Sequence, residues 1–182
     1  MLAFKIVLFS YTSMQIVPVD KISQDHIRQI NQIFKDLELR TYLSYSEEDG
    51  LGIKKTQQFI KTKKKELKQK QSIFWVALEG DEVQGVLEMR FFLLTKQKHK
   101  MSFGIWVRKD KHKTGIGSML MEHLISYAKS NGVKRIEGEV YCKNTAALAL
   151  YKKYGFEIEG TLKCAVYYKG VCEDLYCIAK LL

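Results

Sequence analysis

Hydrophobic and polar positions follow two different periods in the first part of the chain. Residues 15–19 alternate and carry the only proline, which predicts a strand at the edge of a sheet. Ser23 precedes a run with an apolar residue every three or four positions, which predicts a capped helix with His26 on its surface. A second helix is predicted from residue 53 to about residue 70. Its apolar stripe is thin, and we expect its many lysines to be solvated.

The rest of the chain combines strands with two further helices. "SIFWVALE" and "VQGVLEMRFFLL" predict two strands joined by a Gly-Asp turn, and "MSFGIWV" predicts a third. A helix is predicted from about residue 115 to 130, then the strand "VKRIEGEVY", then a helix over residues 144–154. The end of the chain reads as a hairpin around "KG". The order βααβββαβαββ predicts an α+β (mixed α/β) domain on one sheet.

Composition fits a single domain that covers residues 1–182. An apolar fraction of 46% with one proline argues against disorder, and 182 residues allow a real core. The net charge of +10 suits nucleic acid, an acidic membrane surface or an anionic small molecule equally well. The lysine run "KTKKKELKQK" contains no arginine or aromatic residue, so we expect no nucleic-acid partner. No segment approaches the length of a membrane span, and we expect a soluble, cytoplasmic protein with no membrane partner.

The amino terminus and the cysteines give two further expectations. Residues 1–13 form an apolar run broken by Lys5, which indicates a short extra strand or a leader upstream of an alternative start at Met14. The four cysteines form no CxxC pair and have no histidine at zinc-finger spacing. We therefore expect reduced thiols, no disulfide and no metal site. These cysteines are Cys142, Cys164, Cys172 and Cys177.

The stretch "KDKHKTGIGSMLMEHL" is a candidate phosphate site. No lysine follows its glycines at the spacing of a Walker A loop, and Leu120 stands where a dinucleotide fingerprint needs a third glycine. A third possibility is a loop that ends at the start of a helix, where free N–H groups and the helix dipole attract anions. Lys109, Lys111 and Lys113 add positive charge. A GxG pair before a helix is common, so this segment alone does not decide between an anion site and an ordinary loop.

The residues downstream favour the anion site. The stretch "IWVRKDKHKTGIGSMLMEHLISYAKSNGVKRIEGEVYCKNTAALALYKKYGFEIEG" resembles the GCN5-related N-acetyltransferase (GNAT) superfamily. An xxGxG loop before a helix is followed, at that family's spacing, by an Asn-led helix that ends in a tyrosine and "GF". The resemblance is close over about residues 105–160 and looser beyond. It implies a twisted, mostly antiparallel central sheet with flanking helices, acetyl-CoA as co-substrate without a metal, and acetyl transfer to a primary amine.

The resemblance also implies which residues bind the coenzyme, through the strand before the loop, the loop itself and the Asn-led helix. These residues are Ile105, Trp106, Val107, His112, Lys113, Thr114, Gly115, Ile116, Gly117, Ser118, Asn144, Ala147 and Tyr151. His112 stands where the family has arginine or glutamine, and Lys113 where it has glycine. A histidine is mostly neutral at pH 7, so we expect weakened but not abolished coenzyme binding. Asn144 has a second interpretation as a simple helix N-cap.

Two residues are candidates for the chemistry. The resemblance implies that Tyr151 protonates the leaving sulfur; its alternative is a core aromatic on the helix stripe. Glu139 stands where one branch of the family, which acetylates ribosomal-protein N-termini, has its general base. An exposed carboxylate without a role and a water relay remain alternatives. Glu137 and Glu139 lie two residues apart on a strand and point the same way.

The acceptor is left open by the sequence. A small amine, a polyamine or an amino-acid-like amine is one reading, a protein or peptide N-terminus is another, and a non-catalytic acyl-CoA-binding module is a third. The connection "TYLSYSEEDGLG" is expected to border the acceptor pocket, as it does in relatives. It contains Tyr42, Tyr45, Glu47, Glu48 and Asp49. A homodimer is also left open.

Overall fold

The computed structural model describes residues 14–36 and 52–182. The hypotheses for residues 1–13 and for the acceptor-side connection at residues 41–52 fall wholly or mainly outside these ranges. Within them the order of helices and strands is βααβββαβαββ, which confirms the predicted class. Two short 3-10 turns, at Val19–Lys21 and Lys109–Lys111, add to it.

Seven strands form one sheet in the order β1-β2-β3-β4-β5-β7-β6. All neighbouring strands are antiparallel except β4 and β5, which are parallel. The strands are β1 (Met14–Pro18), β2 (Ser72–Glu79), β3 (Glu82–Phe91), β4 (Lys100–Val107), β5 (Arg135–Tyr141), β6 (Glu157–Tyr168) and β7 (Val171–Leu181). The helices are α1 (Gln24–Lys35), α2 (Ile53–Lys68), α3 (Ile116–Ser130) and α4 (Thr145–Lys153). The proline-containing strand lies at the edge, as predicted.

Each face of the sheet carries its own hydrophobic core. Residues of α1 and α2 pack with alternate residues of β2 and β3 on one face, and α3 and α4 pack on the other. Gly85 of β3 lies under α3, where an added Cβ would stand 3.3 Å from Ile116 and from Leu120. Leu120, which excludes the dinucleotide motif, is fully buried at this contact. We call the two sides the α1/α2 face and the α3/α4 face.

The start of α1 corrects the expectation for His26. Ser23 accepts a hydrogen bond from the backbone N–H of His26 at 3.2 Å, and the Nδ1 atom of His26 accepts one from the backbone N–H of Ser23 at 3.1 Å. The histidine ring takes the place that glutamate usually has in such a reciprocal cap. His26 is therefore buried and structural, not a surface residue.

One lysine of the lysine-rich helix α2 is buried. The Nζ atom of Lys63 lies 2.7 Å from carboxylate oxygens of both Glu66 and Glu88, and only 9% of the lysine side chain is exposed. Burial lowers the pKa of Lys63, but the two carboxylates outweigh it, so the pKa is raised. The expectation of a wholly solvated lysine face is wrong at this position, because β3 places Glu88 beneath the helix.

The cysteines also depart from expectation. Cys164 and Cys172 form a disulfide with their Cα atoms 4.7 Å apart, whereas Cys142 and Cys177 are free thiols. The two bonded residues lie on β6 and β7, which form the predicted hairpin around "KG". Pairing across a hairpin brings residues eight positions apart together, and that spacing matches no recognised cysteine motif.

Candidate active site

A gap opens in the sheet between β4 and β5. The two strands pair only where residues 100–102 face residues 135–137. Beyond this point β4 continues to pair with β3 as far as Val107, and β5 continues to pair with β7 as far as Tyr141. The two strands therefore diverge, and their facing edges, residues 103–107 and 138–141, leave backbone groups without a ladder partner.

Alternation along β4 decides which of its backbone groups line the gap. The N–H of Arg108 donates to the carbonyl of Gln84 at 3.0 Å, which makes this a hydrogen-bonded pair of the antiparallel ladder. Such pairs recur every second residue, so the N–H of Trp106 faces β3. The N–H groups of Ile105 and Val107 face the gap instead. Two of the three backbone positions predicted on this strand are thus available to a ligand.

The loop after β4 leads into the N-terminus of α3. Lys113 has φ +63° and Gly115 has φ +98°, both in the left-handed region. Glycine avoids a steric cost there, whereas a residue with a side chain pays about 1–2 kcal/mol, which explains why the family prefers glycine at the position of Lys113. The hydroxyl of Thr114 donates to the carbonyl of Lys111 at 2.7 Å and closes the turn. Helix α3 then begins at Ile116 with unpaired N–H groups.

His112 points back toward the end of β4. Its Nε2 atom lies 3.1 Å from the carbonyl oxygen of Val107, to which it donates when it carries the proton. Because the Val107 carbonyl shares the side of its own N–H, the ring lies at the mouth of the gap. Gly117 has a packing role here, since an added Cβ would lie 3.2 Å from Leu150 of α4. The hydroxyl of Ser118 accepts a hydrogen bond from the Lys153 ammonium at 3.2 Å.

Helix α4 places Tyr151 beside the gap on the α3/α4 face. Asn144 caps this helix, since its side-chain oxygen accepts the N–H of Ala147 at 3.1 Å. The Tyr151 ring packs edge-on against Phe103 of β4 with the ring centroids 5.3 Å apart, and it lies 5.9 Å from Phe156. Its hydroxyl makes no hydrogen bond with any residue that the structure describes. Burial raises the pKa of Tyr151 to about 12, so the phenol is protonated at neutral pH.

The opposite, α1/α2 face of the gap carries Glu137 and Glu139. An added Cβ on Gly138 would lie 3.1 Å from the Phe103 ring, so Gly138 faces α3 and α4. Its two neighbours along β5 must then face the other way, as predicted. Glu137 is bound by Arg135 at 2.6 Å and by Lys100 at 3.2 Å. Burial raises the pKa of Glu137, but these two cations outweigh it and lower the pKa.

Glu139 differs from its neighbour. It is exposed, and it forms no ion pair or hydrogen bond with the residues that the structure describes. It lies on the part of β5 that has separated from β4, directly opposite Cys177 of β7. The gap therefore has a protonated phenol on one face of the sheet and a free carboxylate on the other.

Comparison with known families agrees with this arrangement. The profile of the acetyltransferase (GNAT) domain matches residues 21–175, which is most of the chain. The chain belongs to this family.

Individual relatives in the GNAT family differ in their acceptors. The L-amino acid N-acetyltransferase AaaT of Escherichia coli (strain K12) is 36% identical over 105 residues, 57% of this chain and 64% of the relative. The [ribosomal protein bS18]-alanine N-acetyltransferase of Salmonella typhimurium is 43% identical over 61 residues, 34% of this chain and 40% of the relative. The matches thus span less than two thirds of these relatives' lengths.

A solved structure shows the same fold. The putative acetyltransferase yncA from Salmonella typhimurium, solved with its cofactor acetyl-CoA, superposes with a TM-score of 0.75 at 15% identity, over 93% of this chain and 94% of that chain. At this identity the likeness establishes the GNAT fold alone. The parallel pairing of β4 and β5 and their divergence are features of this chain itself.

The structure also shows features near the GNAT site that the sequence did not indicate. A cleft of about 610 Å³ lies beside the loop on the α1/α2 face. It is lined by Gln29, Gln32, Ile33, Asp36, Arg108, Lys109 and Asp110. Arg108 is held there by Asp110 through hydrogen bonds of 2.7 and 2.8 Å. No sequence pattern could have found this cleft, since it depends on where α1 meets the end of β4.

Within residues 14–36 and 52–182, no group of three or more histidine, cysteine, aspartate or glutamate side chains is placed to hold a metal ion. Over the same ranges, no helix is both long enough and apolar enough to cross a bilayer.

Proposed function

We propose that this chain transfers an acetyl group from acetyl-CoA to a primary amine by direct attack. The observation that carries the proposal is the gap between β4 and β5, with a protonated Tyr151 on one face and the free Glu139 carboxylate on the other. An acetyl transfer needs a proton donor for the leaving thiolate and an acceptor for the proton of the amine. Two such groups on opposite faces of one opening satisfy both needs without competing for the same space.

The residues of the loop and of β4 fit the coenzyme that the family uses. The N–H groups at the start of α3, which have no side-chain cap, suit a pyrophosphate, since a helix N-terminus attracts anions. The N–H groups of Ile105 and Val107 suit the pantetheine amides and the thioester carbonyl oxygen. Acetyl-CoA supplies the activated acetyl group as a thioester. His112 lies at the mouth of the gap, between these two regions.

Tyr151 is the proposed general acid. It donates its hydroxyl proton to the sulfur as the carbon–sulfur bond breaks, and the raised pKa keeps that proton in place until then. Water or the proton released by the amine restores the phenol.

Glu139 is the proposed general base. It accepts a proton from the attacking nitrogen as the new carbon–nitrogen bond forms, directly or through one water. Its neighbour Glu137 is a poorer base because Arg135 and Lys100 hold its carboxylate in the charged form.

The acceptor that we propose is an amino-acid-like amine, supported by the 36% identity to the L-amino acid N-acetyltransferase AaaT. A peptide N-terminus is a second candidate, supported by the 43% identity over 61 residues to the bS18-alanine N-acetyltransferase. A non-catalytic acyl-CoA-binding module is the third candidate, and the presence of a tyrosine beside the gap argues against it.

Two measurements, made one after the other, test the proposal. Isothermal titration calorimetry should detect acetyl-CoA binding, and the absence of binding at high micromolar concentration would refute the proposed coenzyme. A thiol-release assay against amino acids, polyamines, aminoglycosides and N-terminal peptides should then find at least one acceptor. Binding without thiol release from any member of this panel would favour the non-catalytic module.

A further inference from the structure

Three aromatic side chains stand together on the α1/α2 face of the gap. The ring centroid of Phe34 of α1 lies 5.9 Å from that of Trp106 of β4 and 5.8 Å from that of Phe59 of α2, both in edge-on contact. All three are partly exposed, whereas Phe74, which lies beneath Phe59, is completely buried. We call Phe34, Phe59 and Trp106 the aromatic wall. Aromatic rings inside a hydrophobic core are normally covered on all sides, so the exposed surface of these three rings is available for contact with a ligand.

The position of the wall is fixed by β4. Trp106 lies on the strand that borders the gap, between the two gap-facing N–H groups of Ile105 and Val107. Its indole folds back over Gly104, where an added Cβ would lie 2.6 Å from the ring. Only glycine at residue 104 allows the indole to lie flat along the strand at the edge of the gap. The wall is therefore directly beside the place proposed for the thioester.

The side from which an amine attacks follows from Tyr151. Tyr151 and the packed helices α3 and α4 occupy the α3/α4 face, which leaves the α1/α2 face as the side from which the amine approaches. That face presents the aromatic wall on the β4 side of the gap and the free Glu139 carboxylate on the β5 side. The nearest cations on that face of β4 and β5, Lys100 and Arg135, are bound to Glu137.

We propose that the acceptor is an amine that carries a bulky apolar or aromatic group, which packs on the aromatic wall while the amine lies toward Glu139. The inference rests on the proposed function and names its substrate class. A polyamine or an aminoglycoside could gain only cation–π contacts from the three rings and would leave most of their apolar surface facing polar groups. An apolar side group would remove them from water, and an aromatic one would add edge-on ring contacts.

The test compares matched acceptors in the thiol-release assay at saturating acetyl-CoA. Phenylalanine amide, leucine amide, alanine amide and spermidine all carry primary amines, and the first two add a large apolar group. We expect kcat/KM about 10- to 100-fold higher for phenylalanine amide than for alanine amide, the range that burial of one large apolar side chain supplies. Equal or lower kcat/KM for the apolar amides would overturn the inference.

Two variants assign that preference to the wall. Trp106→Ala should cut the ratio of kcat/KM for phenylalanine amide over alanine amide to about a tenth or less, mainly through the KM of the larger amine. Phe59→Leu removes a ring from α2 with a smaller loss of volume, and it should lower the same ratio if Trp106→Ala does not fold. Trp75→Phe is the control, because Trp75 contacts His123 on the α3/α4 face. An unchanged ratio in the folded wall variants would refute the assignment.

The proposed function and this inference fail in different ways. No thiol release with any amine contradicts the proposed function itself. Release with alanine amide or spermidine, without a preference for the apolar amides, leaves the function standing and overturns only the substrate class.

Discussion

Replacing Tyr151 by phenylalanine separates catalysis from binding and stability. The ring contacts with Phe103 and Phe156 remain, and the lost hydroxyl has no partner among the described residues. We therefore expect the free energy of unfolding to change by no more than about 0.5 kcal/mol. With a pKa of about 12, the phenol is ionised in about one molecule in ten thousand at pH 8, so it is a competent acid over the whole neutral range.

The expected loss is in turnover. General acid catalysis by a positioned side chain contributes about 10²- to 10⁴-fold, so kcat of Tyr151→Phe should fall by that factor, which corresponds to about 3–5 kcal/mol in the barrier. The thiol-release rate at saturating substrates gives kcat, and calorimetry should give an acetyl-CoA Kd within about twofold of the wild type. Tyr154→Phe is a matched control, because the Tyr154 hydroxyl bonds Glu122 at 2.8 Å on the protein surface. Turnover of Tyr151→Phe equal to that of this control would refute the acid role.

Three further perturbations test other parts of the structure. His112→Arg should tighten acetyl-CoA binding about 3- to 10-fold in calorimetry, because a guanidinium is always charged and binds phosphate in a fork; unchanged or weaker binding would show that the histidine is no handicap. Lys63→Met should lower the free energy of unfolding by about 3 kcal/mol in urea titrations, since it removes the closest cation from the buried Glu88 carboxylate and leaves it a 3.7 Å contact with the exposed Arg90. Because the pKa of Lys63 is raised in the folded state, its ion pair contributes full stability below the unfolded-state pKa of 10.5 and loses it as the pH rises through the folded-state pKa. The destabilisation caused by Lys63→Met should therefore shrink above pH 10.5. A destabilisation that does not change with pH would contradict the ion pair. Reducing the Cys164–Cys172 disulfide should cost about 2.5 kcal/mol for a loop of eight residues, and a thermal melt unaffected by reductant would disprove its contribution.

Features that depend on neighbours along the chain were predictable from sequence. Asn144 caps α4 as its residue type indicates, and the GxG pair does lie where a loop becomes α3. The left-handed φ of Gly115 is a local requirement of that turn, so a motif can carry it. The element order was also predictable, because the apolar period of each segment is set by its own burial.

Features that depend on partners far along the chain were not predictable. From sequence alone, Lys63 is indistinguishable from the solvated lysines around it. Its burial becomes evident only from the structure, where β3 places Glu88 under α2. His26 is predicted from sequence to be a surface residue, whereas in the structure its ring accepts a hydrogen bond from the backbone N–H of Ser23 at the start of the helix. The aromatic wall joins α1, α2 and β4, so no window of sequence contains it. In each case the side chain's environment comes from the tertiary arrangement, which residue type alone does not encode.

The two glutamates of β5 show which properties of the site follow from the sequence and which require the structure. A strand period of two already places Glu137 and Glu139 on the same face, and nothing in their types distinguishes them. Arg135 binds Glu137 at 2.6 Å and Lys100 binds it at 3.2 Å, where β4 still pairs with β5. Two residues later neither strand has a cation to offer: residues 101–107 of β4 contain no lysine or arginine, and the neighbours of Glu139 on its face of β5 are Glu137 and Tyr141. The divergence of the strands opens room for a coenzyme, and the absence of a cation beside Glu139 leaves its carboxylate unpaired at that opening, so the backbone supplies the cleft and the residue types supply its candidate base.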